Sequence, residues 1–474
     1  MKQTMIFCTV VSILLTGCCK DCKVNEQVSY PKSTRSGIKY VPDKTELNRV
    51  AWWNKMKDPQ LTQLIVQALR SNDSIKGSYA TIEQAQAQLK AAQYAWIPTF
   101  DASASGFTGG TWNPHITPSS QLANNPFFAN FPRPRFRGYY AGFAPSYTVN
   151  ALSNISNVNS AKASLAIQQA QMQSTKLSII SQMSGAYLML LSQREQLAVE
   201  RVLTDELKKL RQLEQVRFRK GASDLETLTS IDQQLAQEET RIPQIEGVIA
   251  QSENTIQLLL NQNPGPVQTQ RSLLALKIKH LIPQQLPSSV LKNRPDIMIA
   301  TNNVKMSYAQ IGGTYAEFFP TISLTGLVGK ASLDLTNLLK ISTNLWVAQA
   351  VASMKVFNPS AYQNIKAAKA GFKTTYYTYL ETLRGAFADV DDALTNEHKN
   401  RLAYLQTKKG YRAAQRSYSL ALTQYKSGAK DYRTVSNAKI NLQRSKLSLI
   451  QAKAQLLDGI VQVYTAVAGG YDVA

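Results

Sequence analysis

The sequence predicts a mainly α-helical chain that also donates strands to a membrane β-barrel. The expected object is a trimeric α/β tube, with four strands per chain in a shared 12-stranded barrel and long coiled-coil helical hairpins in the periplasm. Three observations predict it: a two-fold internal repeat, helical stretches longer than a globular core needs, and two pairs of strand-like segments ahead of them.

Composition sets the outer limits. Of 474 residues, 44% are hydrophobic and 18% charged, which excludes a disordered or collagen-like chain. No apolar run reaches the roughly 18 residues that a spanning helix needs. The three histidines, His115, His280 and His398, lie far apart, which argues against a histidine-based metal site, and no cofactor is expected. Fifty-three basic residues against 31 acidic ones give +22, a charge that suits nucleic acid, an anionic membrane surface or an anionic passenger.

The N-terminus reads as a signal peptide, with Lys2 as its charged start and Met5 to Leu15 as its short apolar core. Leu15-Thr16-Gly17-Cys18 follows and resembles the bacterial lipobox, in which the cysteine is lipidated before cleavage. Cys18 is therefore expected to carry the lipid, with residues 1–17 removed and 457 remaining. Cys19 rather than Asp follows, which in lipoprotein sorting favours the outer membrane. Cys19 and Cys22 have CxxC spacing, either a redox or metal motif or incidental cysteines in a tether; no second pair accompanies them. Only Lys2 leaves with the signal, so +21 persists, and export argues against nucleic acid as the partner.

The repeat organises the rest. VRFRKGASDLETL at 216–228 and TQYKSGAKDYRTV at 423–435 share an aromatic, a basic residue, Gly-Ala, Asp and Thr at an offset of 207. SAKA at 160–163 and AAKA at 367–370 keep that offset, whereas AQLKAAQYAWIPTF (87–100) and AQIGGTYAEFFPTI (309–322) are 222 apart. The difference places extra length in the first half, in the Pro/Asn-rich stretch Trp112 to Pro134. The expected organisation is a signal peptide at 1–17, a lipidated tether and equatorial segment at 18–58, a first repeat at 59–270, a linker at 271–287, a second repeat at 288–467 and a tail at 468–474.

Each repeat opens with a helix. Asp58 can cap it, Pro59 suits its first turn, and Leu61, Leu64, Ile65 and Ala68 form one face. Pro295 opens the second, ahead of Ile297, Ala300 and Val304. Each first helix is expected to stop before a proline, Pro98 or Pro320. Strand character follows at about 99–109 and 136–149 (the pair spanning 99–149), then at 321–329 and 344–357. In the last of these, Trp346, Ala348, Ala350, Ala352, Met354 and Val356 share one face, with Gln349, Ser353 and Lys355 on the other. That alternation describes a sheet with one greasy and one wet side.

From Asn154 to Phe218 there is no proline and one glycine, Gly185. At about 1.5 Å per residue those 65 residues would span roughly 98 Å. A return helix to about Asn261 carries Ile242, Ile245, Ile249, Ser252, Ile256 and Leu259 at coiled-coil spacing, with Pro243 expected to kink or interrupt it. Leu380, Leu383, Phe387, Val390 and Leu394, then Leu447, Ile450, Ala454, Leu457, Val461 and Tyr464, repeat the pattern around Gly428. Two antiparallel hairpins turning at Gly221-Ala222 and Gly428-Ala429 result. Four strands cannot close a barrel whose minimum is about eight, and an open edge is not viable in lipid. Three chains would supply twelve strands and a hollow ring of twelve helices.

The chain resembles the TolC-like outer-membrane factors, in particular their lipoprotein (NodT-type) branch serving RND drug-efflux pumps. The motifs that carry the likeness are the lipobox, Ala51-Trp52-Trp53 with Asp58-Pro59-x-Leu61 and Leu64, Leu258-Leu259-Leu260 and Arg294-Pro295-Asp296-Ile297. Phe319-Pro320-Thr321, Leu324-Thr325-Gly326 and the two Gly-Ala tips complete the set. The resemblance implies a homotrimeric, non-enzymatic exit duct in the outer-membrane lipid, docked through a periplasmic adaptor to an inner-membrane pump. It also implies adaptor contact at Gly221, Ala222, Gly428 and Ala429, and a pore gate formed by Tyr425, Lys430, Arg433 and Asn437. Arg433 and Asn437 stand where the branch commonly has a leucine and an aspartate, and Val149-Asn150 and Phe357-Asn358-Pro359 replace its usual turns. Arg433 could form a three-fold cationic ring with Lys430 one helical turn away, or turn into the helix interface and pair with Asp431 or Glu226. Type I protein secretion and metal efflux are alternative duties for such a duct. A lipid-anchored trimeric structural coiled coil is the alternative from another class, disfavoured by the strand pairs. No nucleophile–base–acid set or phosphate loop points to an enzyme, and Glu238-Glu239, Asp389 and Asp391-Asp392 read as solvated faces.

Overall fold

The computed structural model describes residues 34–35, 39–41, 49–110, 135–269, 271–277, 285–287, 290–338 and 344–472. The signal peptide, Cys18 and the stretch from Trp112 to Pro134 lie outside the described residues. In chain order the elements are β1 (Lys39–Val41), α1 (Pro59–Ser71), α2 (Asp73–Tyr94), β2 (Thr99–Gly110), β3 (Arg135–Val149), α3 (Ala151–Arg219) and α4 (Leu225–Leu259). They continue with β4 (Gln285–Pro287), α5 (Pro295–Tyr315), β5 (Thr321–Ser332), β6 (Asn344–Ser353), α6 (Pro359–Lys426) and α7 (Tyr432–Ala466). The chain divides into two compact units.

One unit, residues 86–163 and 305–372, holds a four-stranded antiparallel sheet in the order β2-β3-β5-β6. The register aligns Ala102, Phe143, Val328 and Trp346 across it, and Tyr147, Leu324 and Ala350 in a second row four residues along. These side chains share an apolar face. Thr99, Ser146, Thr325 and Gln349 form a row on the opposite face, with Thr99 and Ser146 hydroxyls 2.8 Å apart and Thr148 and Ser323 3.1 Å apart. Side chains alternate at period two, so one sheet is greasy on one side and wet on the other. Within the chain, β2 and β6 each have one unpaired edge among the described residues.

β6 ends at Ser353 rather than near 357, and Val356 and Phe357 stand exposed. The reason lies in the next helix. Pro359 is its first residue, and the Asn358 side chain accepts from the Ala361 N–H at 3.2 Å. Asn150 does the same for α3, accepting from Ser153 N at 3.1 Å. Asparagine satisfies backbone N–H groups that a helix start leaves unpaired, so both residues act as caps.

The other unit contains the helical hairpins and their base. Asp58 caps α1 by accepting from Gln60 N at 3.0 Å, and Leu61, Leu64, Ile65 and Ala68 are all buried. The helix does not continue to Pro98. It breaks at Asn72, which is extended, accepts from Ser74 N at 2.9 Å and donates to Leu259 O at 2.9 Å. A short amide side chain there outcompetes the helical bonds. α3 and α6 run unbroken for 69 and 68 residues, and α4 and α7 for 35 each. Pro243 does not interrupt α4: it lies on an exposed face, where its ring and the missing N–H face solvent.

A ladder of ion pairs zips α3 to α4: Arg194 to Glu253, Arg201 to Glu246 at 2.9 Å, Lys208 to Glu239 at 3.0 Å, and Arg211 to Asp232. The four acids are seven residues apart, which is the flanking-position pattern of a coiled coil. At the base, Trp52 stacks on Tyr464 with centroids 4.8 Å apart, and Trp53 meets Trp52 edge-on at 5.8 Å. The expected C-terminal tail is instead part of this core. Ala468 and Tyr471 are buried, the Tyr471 hydroxyl donates to Asn293 O at 2.7 Å, and Gly470 has φ 87° against the tryptophan rings, with room for no Cβ. Arg294 is buried beside it. Its guanidinium reaches Asp296 at 2.7 Å, Asp389 at 2.9 Å and the last turn of α7 through Ala466 O at 2.8 Å. A two-stranded parallel sheet, β1 with β4, which sequence did not predict, ties the equatorial segment to the linker.

Candidate functional site

The candidate site is the pair of hairpin tips and the buried polar seam behind them. Both tips close alike. Gly221 N donates to Phe218 O at 3.0 Å and Ala222 N to Arg217 O at 2.8 Å, while Gly428 N donates to Tyr425 O and Ala429 N to Gln424 O, each at 2.9 Å. This is the Schellman closure, in which a residue of positive φ follows the helix and backfills its last carbonyls. The glycines have φ 72° and 77°, which a side chain would strain even though nothing lies within 4 Å of either. Asp224 then caps α4 by accepting from Thr227 N at 2.6 Å, and Asp431, 207 residues on, caps α7 by accepting from Thr434 N at 3.2 Å. The Thr227 backbone bond holds the Asp224 carboxyl low. Burial pushes Asp431 up, but bonds from Thr434 and Arg217 outweigh it and leave its carboxyl low as well.

Arg433 faces neither Asp431 nor Glu226. Its Nε lies 3.4 Å from Oε1 of Glu214, whose side chain is wholly buried. Asp431 is taken by Arg217 at 3.3 Å, and Arg217 also lies 3.6 Å from Glu214. Ser223 donates to the same carboxylate at 2.8 Å. Glu214 is thus the hub that joins the tip of the first hairpin to the start of α7, and sequence analysis missed it. Lys430 sits in the tip turn rather than one helical turn from Arg433, because α7 begins only at Tyr432. Tyr425 is exposed and meets Tyr432 edge-on at 5.6 Å, and Asn437 is exposed one turn beyond Arg433.

Behind the tips the seam between α3 and α7 continues in polar steps. Glu206, buried, accepts from Ser436 at 2.9 Å and Lys439 at 2.8 Å. From α4, Glu238 is met by Arg241 of its own helix at 3.2 Å and by Arg444 of α7 at 3.4 Å. Burial, with Glu238 nearby, raises the Glu200 carboxyl. Nearer the base, Lys453 is buried and donates to Leu274 O at 2.7 Å and Leu276 O at 2.8 Å; burial pushes its amine down to about 8. Sequence patterns record apolar stripes, whereas these charges occupy stripe positions that would read as solvated.

The family model described as "Outer membrane efflux protein" matches residues 64–262 and 286–469. The chain is 26% identical over 350 residues to "Probable outer membrane lipoprotein SilC" of Salmonella typhimurium, covering 72% of this chain and 71% of that one. It is 27% identical over 346 residues to the toluene efflux pump outer membrane protein TtgI of Pseudomonas putida, covering 71% and 70%. Its fold is similar to that of the Campylobacter jejuni CmeC outer membrane channel, with a TM-score of 0.79 at 22% identity over 94% of both chains.

Proposed function

The chain belongs to the outer membrane efflux protein family, and on that premise we propose that it is the exit duct of a tripartite pump passing drugs or other small molecules. It acts passively, as the family's channels do, and carries no catalytic step. One observation supports this reading above the rest: a sheet with an apolar face and, among the described residues, two unpaired edges is built into the same chain as two long hairpins. In lipid such edges require partners. Three copies give twelve strands, an even number in the range of membrane barrels. In this reading Cys18 anchors the chain by a lipid, and the repeats at 59–270 and 288–467 each supply two strands and one hairpin. The Gly221 and Gly428 tips meet a periplasmic adaptor of an RND-type system. Tyr425, Lys430, Arg433 and Asn437 surround the narrow end, with Arg433 held back by Glu214 rather than forming a bare cationic ring.

The test is electrical. Purified protein in a planar bilayer should give stable conductance steps that rise in proportion to salt. Absence of steps from a preparation that forms oligomers would overturn the duct reading in favour of a structural coiled coil.

A further inference from the structure

The two hairpins are alike in backbone and opposite in charge. In the first, α4 places Asp232, Glu239, Glu246 and Glu253 at seven-residue spacing, and each carboxylate meets a cation of α3. The repeat offset of 207 carries Asp232 to Lys439, Glu239 to Lys446 and Glu246 to Lys453. It carries Arg194 to Arg401, and Arg201 to Lys408. The rung Arg201–Glu246 thereby becomes Lys408 facing Lys453, and Lys408 is close enough to that lysine to help depress its pKa. Between His398 and Leu457 there are 13 basic residues and a single acid, Asp431.

Some of this charge is neutralised inside the chain: Arg433 by Glu214, Lys439 by Glu206, Arg444 by Glu238, and Arg401 by Glu397. The rest is not. Lys409, Arg412, Arg416 and Lys426 on α6 are exposed, and no carboxylate within 4 Å of them occurs among the described residues. Lys409 and Arg416 are seven apart, and Arg412 and Lys426 fourteen, so they form one stripe, about 25 Å long at 1.5 Å per residue. Like charges at this spacing repel one another, and the arrangement persists most favourably with an anionic partner. A second copy of this chain is poorly suited, because its seven-residue carboxylates are all spent on their own α3.

We propose that this stripe on α6 is a docking surface for an acidic helix of another periplasmic protein, one with carboxylates at seven-residue spacing. The shape of the expected occupant is drawn from the chain itself, since α4 already meets a cationic helix in that way. The proposal rests on the reading that the hairpins stand in the periplasm, but not on conduction.

The probe is a synthetic helical peptide of five heptads with glutamate at one position of each, dye-labelled, titrated against the full-length protein in detergent. Fluorescence anisotropy should report binding that weakens as salt rises. Lys409→Glu combined with Arg416→Glu should weaken it at least tenfold, whereas Lys90→Glu, an exposed charge in the other unit, should leave it within twofold. A peptide of identical composition with the glutamates scrambled should bind at least tenfold more weakly. Equal binding of both peptides, or displacement by sulfate at equal ionic strength, would show a general anion surface and overturn the proposal. Equal binding by the doubly substituted protein would overturn it too. Conductance of the same doubly substituted protein should be retained. Its loss in the wild type would count against the duct, not against the docking surface.

Discussion

At the scale of single residues, the most consequential groups are buried charges whose partners come from far along the chain. Glu214 has Arg217, Arg433 and Ser223 around one carboxylate. Removing one member of a buried charged set costs more than the set contributes, because the others keep their charge without a counter-ion. Glu214→Gln is isosteric, so any loss is electrostatic. It should lower stability by about 1–3 kcal/mol in urea unfolding. Asp431→Asn should cost less, since its ion pair with Arg217 is largely exposed. Equal losses would remove Glu214 from its place as hub. Lys453 gives a pH-dependent counterpart. Its folded pKa of about 8 lies below the unfolded value of about 10.4. Between those values the unfolded chain binds more protons, so stability rises with pH, and below pH 8 burial of the charge is a standing cost. Relative to Lys453→Met, the wild type should gain about 2 kcal/mol between pH 7 and 9.5. A difference that is flat across this range would mean that the amine is solvated.

At the scale of elements, the ladder between α3 and α4 can be separated from the apolar seam beneath it. Glu239→Lys with Glu246→Lys converts two attractive rungs into repulsive ones without touching a buried side chain. Exposed pairs are individually weak and screened by salt. The double substitution should therefore lower the melting temperature at about 20 mM salt and recover most of that loss near 1 M. Salt-independent destabilisation would point to packing instead. Much of this level was legible in the sequence, for physical reasons. Strand ends at Thr99, Val149 and Thr321, the α1 cap at Asp58 and both Gly-Ala turns depend on local chemistry: a proline, a carboxylate, a position of positive φ. The misses are non-local. Asn72 breaks a helix because Leu259 O, 187 residues away, accepts its amide. The tail from 468 packs because Trp52 and Trp53 await it. Arg433 chooses Glu214 over the nearer Asp431 because α3 and α7 lie side by side at the tips, which no window of sequence reveals.

At the scale of the whole molecule, membrane attachment and assembly are separable. The lipobox reading predicts that Cys18→Ser accumulates a precursor heavier by the signal peptide, visible by mass spectrometry. Mature protein lacking residues 1–17 and any lipid would refute Cys18 as the anchor. Assembly depends instead on β2 and β6. Each carries a row of backbone donors and acceptors with no partner among the described residues, and each lies at the rim of an apolar face. In lipid the only low-energy resolution is pairing of β6 in one copy with β2 in the next, repeated until the ring closes. That geometry can be captured chemically. Ser103 on β2 and Val347, Gln349 and Val351 on β6 share the wetter face of the sheet. With Cys19 and Cys22 replaced by serine, Ser103→Cys is combined in turn with cysteine at each of the three β6 positions. At least one combination should give, on oxidation in the membrane, bands of two and three chains and none larger, because a ring of three has no free edge left. A cysteine pair placed wholly within β3, for example at Ala144 and Ser146, should give monomer only. Monomer across the whole scan would break the closed-barrel reading, and bands beyond three would replace the trimer with a larger ring.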